Sequence, residues 1–285
     1  MAGELVIRAM TRAELDLLVD WAANEGWNPG INDARIFWDT DLEGFVAAEM
    51  AGELIGGGSI VSYDGRFGFM GFFIVRPEHR GQGLGTRLWL RRRDLLLSRL
   101  QPHAAIGMDG VFDMQPFYAR GGFAFSHRDL RFEGVGAAAT LAKEIVDLSA
   151  VPFAEVFRYD AAHFPAPRER FLKAWITQRG SRALGSLKES VLRGYGVIRP
   201  CRKGFKIGPL FADDARIAQD LFRGLADFAR GEPVYLDVPD DNPQAIAMVR
   251  ALEMREVFGC ARMYHGRPPS LPQTEIFGVS TFELG

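Results

Sequence analysis

The segment Val75-Arg76-Pro77-Glu78-His79-Arg80-Gly81-Gln82-Gly83-Leu84-Gly85-Thr86 has the residue types of an anion-binding turn. An apolar run ends at Val75, glycines recur, and a helical pattern follows. Glycine takes positive φ without a side-chain clash and lets the backbone approach a ligand. The first N–H groups of a helix have no partner within it, and the macrodipole adds to their pull on negative charge. Pyrophosphate is the natural occupant of such a turn. The spacing is neither the dinucleotide G-x-G-x-x-G nor a Walker-type phosphate loop, since no Lys-Ser/Thr follows Gly85. Gly83 and Gly85 alone are explained by a tight strand-to-helix turn, so the context decides. Cys201 and Cys260 stand in no motif-like relation to a His and form no CxxC pair. They read as small buried residues, and no metal site is expected.

Arg80-x-x-Gly83-x-Gly85 resembles the acetyl-coenzyme A signature of the GNAT acetyltransferases, R/Q-x-x-G-x-G/A. Farther on, Phe117-Tyr118-Ala119-Arg120-Gly121-Gly122-Phe123 is similar to the family's Tyr-x-x-x-Gly-Phe segment. The resemblance spans residues 4–133. Glu25-Gly26-Trp27-Asn28-Pro29-Gly30 further resembles a bacterial subgroup with two GNAT domains. The resemblance implies that Gly81, Gln82, Gly83, Leu84, Gly85 and Thr86 cradle pyrophosphate on their backbone amides. It also implies that Ile74, Val75 and Arg76 pair with the pantetheine arm, and that Arg80 contacts phosphate. Arg91, Arg92 and Arg93 are either a 3′-phosphate contact or, as charge runs usually are, a solvated helix face. Tyr118 is the implied general acid, a phenol that protonates the departing thiolate. The family often has Asn where Asp113 stands, which leaves one pantetheine contact in doubt. A general base must relieve the acceptor amine of a proton, and Glu49, Glu25 and Asp109 are candidates between which the residues do not choose. Trp27 and Asn28 are expected at the acceptor pocket. His79 reads as a surface residue and a minor candidate for a phosphate contact.

These groups need a scaffold. Residues 5–8 read as a strand, and Thr11 with Glu14 forms a capping box ahead of Leu15, Leu18 and Val19 at helical spacing. Residues 24–30 form a breaker-rich loop, and 32–38 a short helix. Residues 45–49 and 54–63 read as paired strands, the second weakened by Gly56, Gly57 and Gly58. Asp64-Gly65 is a hairpin signal leading into 67–75, an apolar run expected as one strand buried on both faces. A helix over 87–100, a strand over 104–108, a helix over 114–119 and strands over 123–132 follow. Residues 134–139, Gly-Val-Gly-Ala-Ala-Ala, form the best linker candidate. Every lysine (Lys143, Lys173, Lys188, Lys203, Lys206) lies beyond it.

Residues 140–285 repeat the order helices, three strands, helix, strand, helix, strand. Through Tyr195–Arg199, Phe205–Asp213, Leu236–Pro239 and Ala261–Tyr264 they resemble a second GNAT-like domain. The resemblance implies an α/β fold class (α+β with mixed sheet): tandem GNAT-like domains, 1–134 and 140–285, each a mostly antiparallel mixed sheet flanked by helices. The second half lacks an R/Q-x-x-G-x-G loop. Asp213-Asp214 instead opens its central helix, a good cap that would repel pyrophosphate. This half is expected to shape the acceptor pocket rather than bind coenzyme A. Asp237, Asp240 and Asp241 read as loop acids or an attraction for a cationic amine.

Composition sets the outer limits. The chain has 285 residues, 47% hydrophobic and 25% charged, enough apolar material for a core. A net charge of −2 argues against broad nucleic-acid binding. No apolar run reaches the ~18 residues of a membrane span, and residues 1–5 show no secretory pattern. A cytoplasmic setting is expected. The expected activity is acetyl-coenzyme A-dependent N-acetylation of a small-molecule or peptide amine, and a homodimer is a possible assembly. The alternatives are another acyl donor, an O- or S-acceptor, or a non-catalytic coenzyme A-binding regulator.

Overall fold

The protein is described by a computed structural model covering residues 4–285; Met1, Ala2 and Gly3, part of the leader reading, lie outside it. The first half runs β1 (Leu5–Ala9), α1 (Arg12–Asn24), α2 (Asp33–Thr40), β2 (Phe45–Met50), β3 (Glu53–Ser59), β4 (Val61–Tyr63), β5 (Phe67–Phe69), β6 (Ile74–Val75), α3 (Leu84–Leu97), β7 (Ile106–Val111), α4 (Gln115–Arg120) and β8 (Ala124–Val135). The second runs β9 (Ile145–Asp147), α5 (Phe153–His163), α6 (Glu169–Ile176), β10 (Arg182–Lys188), β11 (Val191–Pro200), β12 (Phe205–Ala212), α7 (Ala215–Ala226), β13 (Pro233–Pro239), α8 (Pro243–Ala251), β14 (Arg255–His265) and β15 (Ile276–Gly278).

Local signals set the starts of α1, α7 and α8. The capping box is formed at α1, with Glu14 N–H donating to Thr11 Oγ1 and Thr11 N–H to Glu14 Oε2. Leu15, Leu18, Val19 and Ala22 turn the apolar face of α1 inward. Asp214 caps α7 by accepting from Ile217 N–H at 2.9 Å, and Asn242 caps α8.

The apolar run 67–75 is two strands, not the one expected. β5 stays in a long sheet, pairing with β4 and β7, while β6 crosses to a separate four-stranded sheet of order β1-β2-β3-β6. The returning strand 54–63 divides in the same way, β3 to one sheet and β4 to the other. The breaks meet at Ser59 and Gly71, where Ser59 N–H donates to Gly71 O at 2.9 Å. Arg92 joins them further: its Nη2 donates to Ser59 O at 2.6 Å and Gly71 O at 2.5 Å. Arg92 is therefore buried, correcting its reading as solvated helix face; Arg91 is exposed.

The long sheet passes through both halves in the order β4-β5-β7-β14-β8-β13-β12-β11-β10-β9, with β15 beside β12. β14 enters the first half between β7 and β8, and β8 pairs with β13 of the second. Each half thus completes its sheet with a strand from the other. The expected linker begins inside β8, and Gly136 is tied to the second half: its N–H donates to Glu232 O at 2.9 Å.

Buried contacts continue the union. Phe37 on α2 stacks on Trp175 of α6 with centroids 6.2 Å apart. Arg199 on β11 forms a buried ion pair with Asp33 on α2, and Arg131 on β8 one with Asp237 on β13.

In the second half, β12 and β13 pair in parallel only over Phe205–Ile207 and then part. The chain's own segment 276–279 fills the gap. β15 pairs with Leu210 and Phe211, and Val279 N–H donates to Asp237 O at 2.9 Å. The segment then crosses to the first half, where Tyr63 OH donates to Leu284 O at 2.7 Å.

Candidate active site

The corresponding gap in the first half is open. β5 and β7 pair in parallel at Gly68–Ile106 and Phe69–Gly107, after which the chain turns away to become β6. β6 is the edge of its sheet, so its outer backbone faces a cleft of about 570 Å³.

The glycine-rich loop lies at one end. After a 3₁₀ turn over Pro77–His79, Gly81 and Gly83 adopt φ values of 77° and 76°. Gly83 is the N-cap of α3 and supplies no side chain to claim the first N–H groups. No atom lies within 4 Å of where a Cβ on either glycine would project. The loop therefore has open backbone at a helix start, which fits an extended anion such as pyrophosphate. Gly81, Gly83, Gly85 and Thr86 line the cleft, as do Ile74, Val75 and Arg80. Arg76, Gln82 and Leu84 do not: Arg76 pairs with Glu53 and Glu78, and Gln82 Nε2 donates to Glu78 O at 3.1 Å. Arg80 Nε donates to Val75 O at 2.7 Å, and its Nη2 pairs with Glu25.

Tyr118, on α4, forms part of the cleft wall and is 4% exposed. Its ring packs flat on the β7 backbone, where a Cβ at Gly110 would sit 2.4 Å from Tyr118 Cε2. Burial pushes its phenol up to about 12, with Arg92 opposing, so the hydroxyl keeps its proton at neutral pH. Asp113 is exposed and does not line the cleft.

The candidate bases separate. Glu49 lies outside the cleft, with Oε2 accepting from Arg8 Nε at 2.8 Å. Glu25 lines the cleft but is committed to Arg80. Asp109 lines it too, yet its side chain points away and accepts from Arg262 Nε and Nη2 at 2.6 and 2.7 Å. Burial pushes Asp109 up to about 7; Arg262 opposes this, and the neighbouring Asp129 adds to it.

Trp27 lines the cleft, and its carbonyl accepts from Arg131 Nη1 at 2.8 Å. Asn28 does not. Its side chain brackets Lys203, donating to the Lys203 carbonyl at 2.9 Å and accepting its N–H at 2.8 Å, which clamps the α1–α2 loop to the second half. Asp237, Asp240 and Asp241 also lie off the cleft, facing Arg131, Arg128 and His127.

Sequence reasoning missed several lining residues. Phe72 and Phe117 come from the first half, while Phe258, Cys260, Phe282 and Glu283 come from β14 and segment 276–285. Both cysteines are buried, as expected, but Cys260 borders the cleft, and burial raises its thiol well above the ordinary value. Among the described residues, no cluster of His, Cys, Asp and Glu is arranged to hold a metal, and no helix is long and apolar enough to cross a membrane.

The profile of the acetyltransferase (GNAT) family matches residues 12–123, and that of an acetyltransferase (GNAT) domain matches residues 156–278. Holothin acyltransferase of a Pseudoalteromonas species is 27% identical over 95% of this chain and 92% of its own. An uncharacterised N-acetyltransferase of Bacillus subtilis is 24% identical over 65% of this chain and 67% of its own. In fold, a candidate acetyltransferase from Pyrococcus horikoshii superposes with a TM-score of 0.84 at 21% identity, covering 99% of this chain and 96% of that one. A tandem GNAT protein from the clavulanic acid biosynthesis pathway superposes with a TM-score of 0.63 at 14% identity, covering 94% and 100%.

Proposed function

The chain belongs to the GNAT superfamily and is an acyltransferase with two GNAT-type halves; from this we propose that it transfers an acetyl group from acetyl-coenzyme A to an amine, at one site in the first half. The observation that carries the reading is a coincidence in one cleft. Open backbone at the start of α3, the free edge of β6 and the buried hydroxyl-bearing Tyr118 all face it.

In this reading the amides of Gly81, Gly83, Gly85 and Thr86 hold the pyrophosphate and β6 aligns the pantetheine arm as an added strand. A β6 N–H stabilises charge growing on the thioester oxygen. Tyr118 gives its proton to the leaving sulfur. Arg80 exchanges Glu25 for phosphate. The second half offers no equivalent site, because segment 276–279 lies between its own parted strands and Asp214 caps its central helix. The named activity of the Pseudoalteromonas relative favours a small-molecule acceptor.

Isothermal titration with acetyl-coenzyme A tests the site. Gly83→Glu places a charged side chain on a left-handed residue at the anion cradle, and at least tenfold weaker binding is expected. Equal affinity in wild type and variant would sink the assignment. Thiol release over an amine panel tests turnover.

A further inference from the structure

We propose that Glu283, supplied by the second half, takes the proton from the acceptor amine, and that the acceptor carries this amine on an apolar, ring-bearing body. The inference rests on the acyl-transfer reading above.

Three acidic residues border the cleft: Glu25, Asp109 and Glu283. Asp109 is held by the buried Arg262, while Glu25 pairs with Arg80 in the free protein and is 36% exposed, so that its carboxylate is already hydrated when Arg80 turns to phosphate. Glu283 is only 3% exposed, and its Oε2 has no hydrogen-bond partner. A buried charge without a partner is costly, so such groups mark places where a ligand completes the bonding. The backbone around it is fixed. Thr281 Oγ1 accepts from the N–H groups of Glu283 and Leu284 at 3.2 and 2.8 Å, and Glu283 O accepts from Ser59 Oγ at 3.3 Å.

The charged groups around Glu283 come from four elements. They are Lys206 on β12, Arg131 on β8, Arg199 on β11 and Asp33 on α2. Arg131 and Arg199 have their own carboxylates, Asp237 and Asp33. Lys206 is buried with its Nζ unpartnered; burial lowers its ammonium below the ordinary value, and an ionised Glu283 opposes that fall. Burial raises the Glu283 carboxyl and these cations restrain the rise, which moves the group toward the range of an effective base.

The rest of the wall sets the acceptor. Trp27, Phe72, Phe117, Phe258 and Phe282 line the cleft, with Phe258 and Phe282 centroids 6.1 Å apart. A polyamine would lose its hydration here without replacement, whereas a ring body gains contact area.

The step balances. The acceptor ammonium loses one N–H proton to Glu283. The freed nitrogen pair bonds to the acyl carbon, and the C–S bond breaks with its electrons on sulfur. Tyr118 protonates that sulfur and recovers a proton from the nitrogen. Glu283 passes its proton to solvent, leaving amide, thiol and one proton.

The full chain is assayed by thiol release with acetyl-coenzyme A and 2-phenylethylamine, tryptamine or, as the hydrophilic comparison, spermidine. Calorimetry with coenzyme A comes first: absence of binding in wild type overturns the acyl-transfer reading itself. With binding intact, Glu283→Gln is expected to lower kcat about 100-fold and remove the acidic limb of kcat at saturating amine. Glu283→Asp keeps that limb at a reduced rate, and formate restores activity to Glu283→Ala. Wild-type kcat and limb in Glu283→Gln overturn the proposal. If that variant does not fold, an unchanged rate in Glu283→Asp, or no rescue by formate, overturns it. No turnover of either arylalkylamine, or a preference for spermidine, overturns the acceptor class.

Discussion

A Cβ on Gly71 would lie 2.1 Å from the carbonyl oxygen of Glu283. Gly71 N–H donates to Ser59 Oγ at 2.7 Å, and Ser59 Oγ donates in turn to that oxygen. The break between β5 and β6 and the segment carrying Glu283 are thus one packed unit.

Gly71→Ala forces that unit apart. Backbone cannot yield as a flexible side chain does, and overpacking of this kind costs about 1–3 kcal/mol. Denaturant unfolding is expected to show the loss, together with reduced acyl transfer at unchanged coenzyme A affinity. An unchanged midpoint would contradict the contact.

Arg80 and Glu25 make opposite predictions. Under the proposed function, Arg80→Ala is expected to weaken coenzyme A binding through the loss of a phosphate contact. Glu25→Gln frees Arg80 from a competitor and tightens it. The pair is largely exposed, and such pairs contribute about 0.2–1 kcal/mol, so the gain is at most about fivefold. Titration of both variants at low and high salt reads the two signs, and a loss of affinity in Glu25→Gln contradicts this account.

Tyr118→Phe tests the acid. A thiolate is a fair leaving group, so the fall in kcat is expected near the low end for general acids, about 10²-fold. Because burial pushes the phenol up to about 12, it remains a donor below that pH and is lost only as pH rises through it. Wild-type rates should show no basic limb from this group up to about pH 10. A wild-type rate in the Phe variant assigns Tyr118 to packing alone.

The Arg131–Asp237 pair should carry stability across the junction of the halves. Burial opposes ionisation of Asp237, but Arg131 overcomes it and holds the carboxyl below its ordinary value. The contribution is present above the unfolded carboxyl value of about 3.9 and disappears as pH falls through the folded value. Arg131→Met strands the carboxylate and is expected to cost about 3–5 kcal/mol near neutrality. The variant should recover part of this on mild acidification, unlike wild type. Thermal melts across pH 4–8 (about that range) read the contrast.

What the sequence disclosed was local. The loop at Gly81–Thr86, the caps at Thr11, Asp214 and Asn242, and the hairpin at Asp64-Gly65 each depend on a few adjacent residues. Phe258, Phe282 and Glu283 were hidden because strand exchange, not neighbouring sequence, brings them to the cleft. The split of run 67–75 was hidden because Phe67, Phe69, Ile74 and Val75 are all buried, so no polar alternation marks the change of sheet. Arg92 did leave a trace: it lies four residues from Leu88 and from Leu96, both fully buried, on one helical face. The run of three arginines obscured that spacing.

The exchange of β8 and β14 also bears on how the molecule comes into being. When the ribosome has delivered residues through Val135, β7 and β8 exist but the strand between them does not. About 120 further residues must emerge before it can insert, and Glu283 follows later still. Such distant pairings form slowly. A prematurely terminated polypeptide would lack β14 between β7 and β8, together with Phe258, Phe282 and Glu283 of the cleft wall, so that the cleft is complete only when nearly the whole chain has been made.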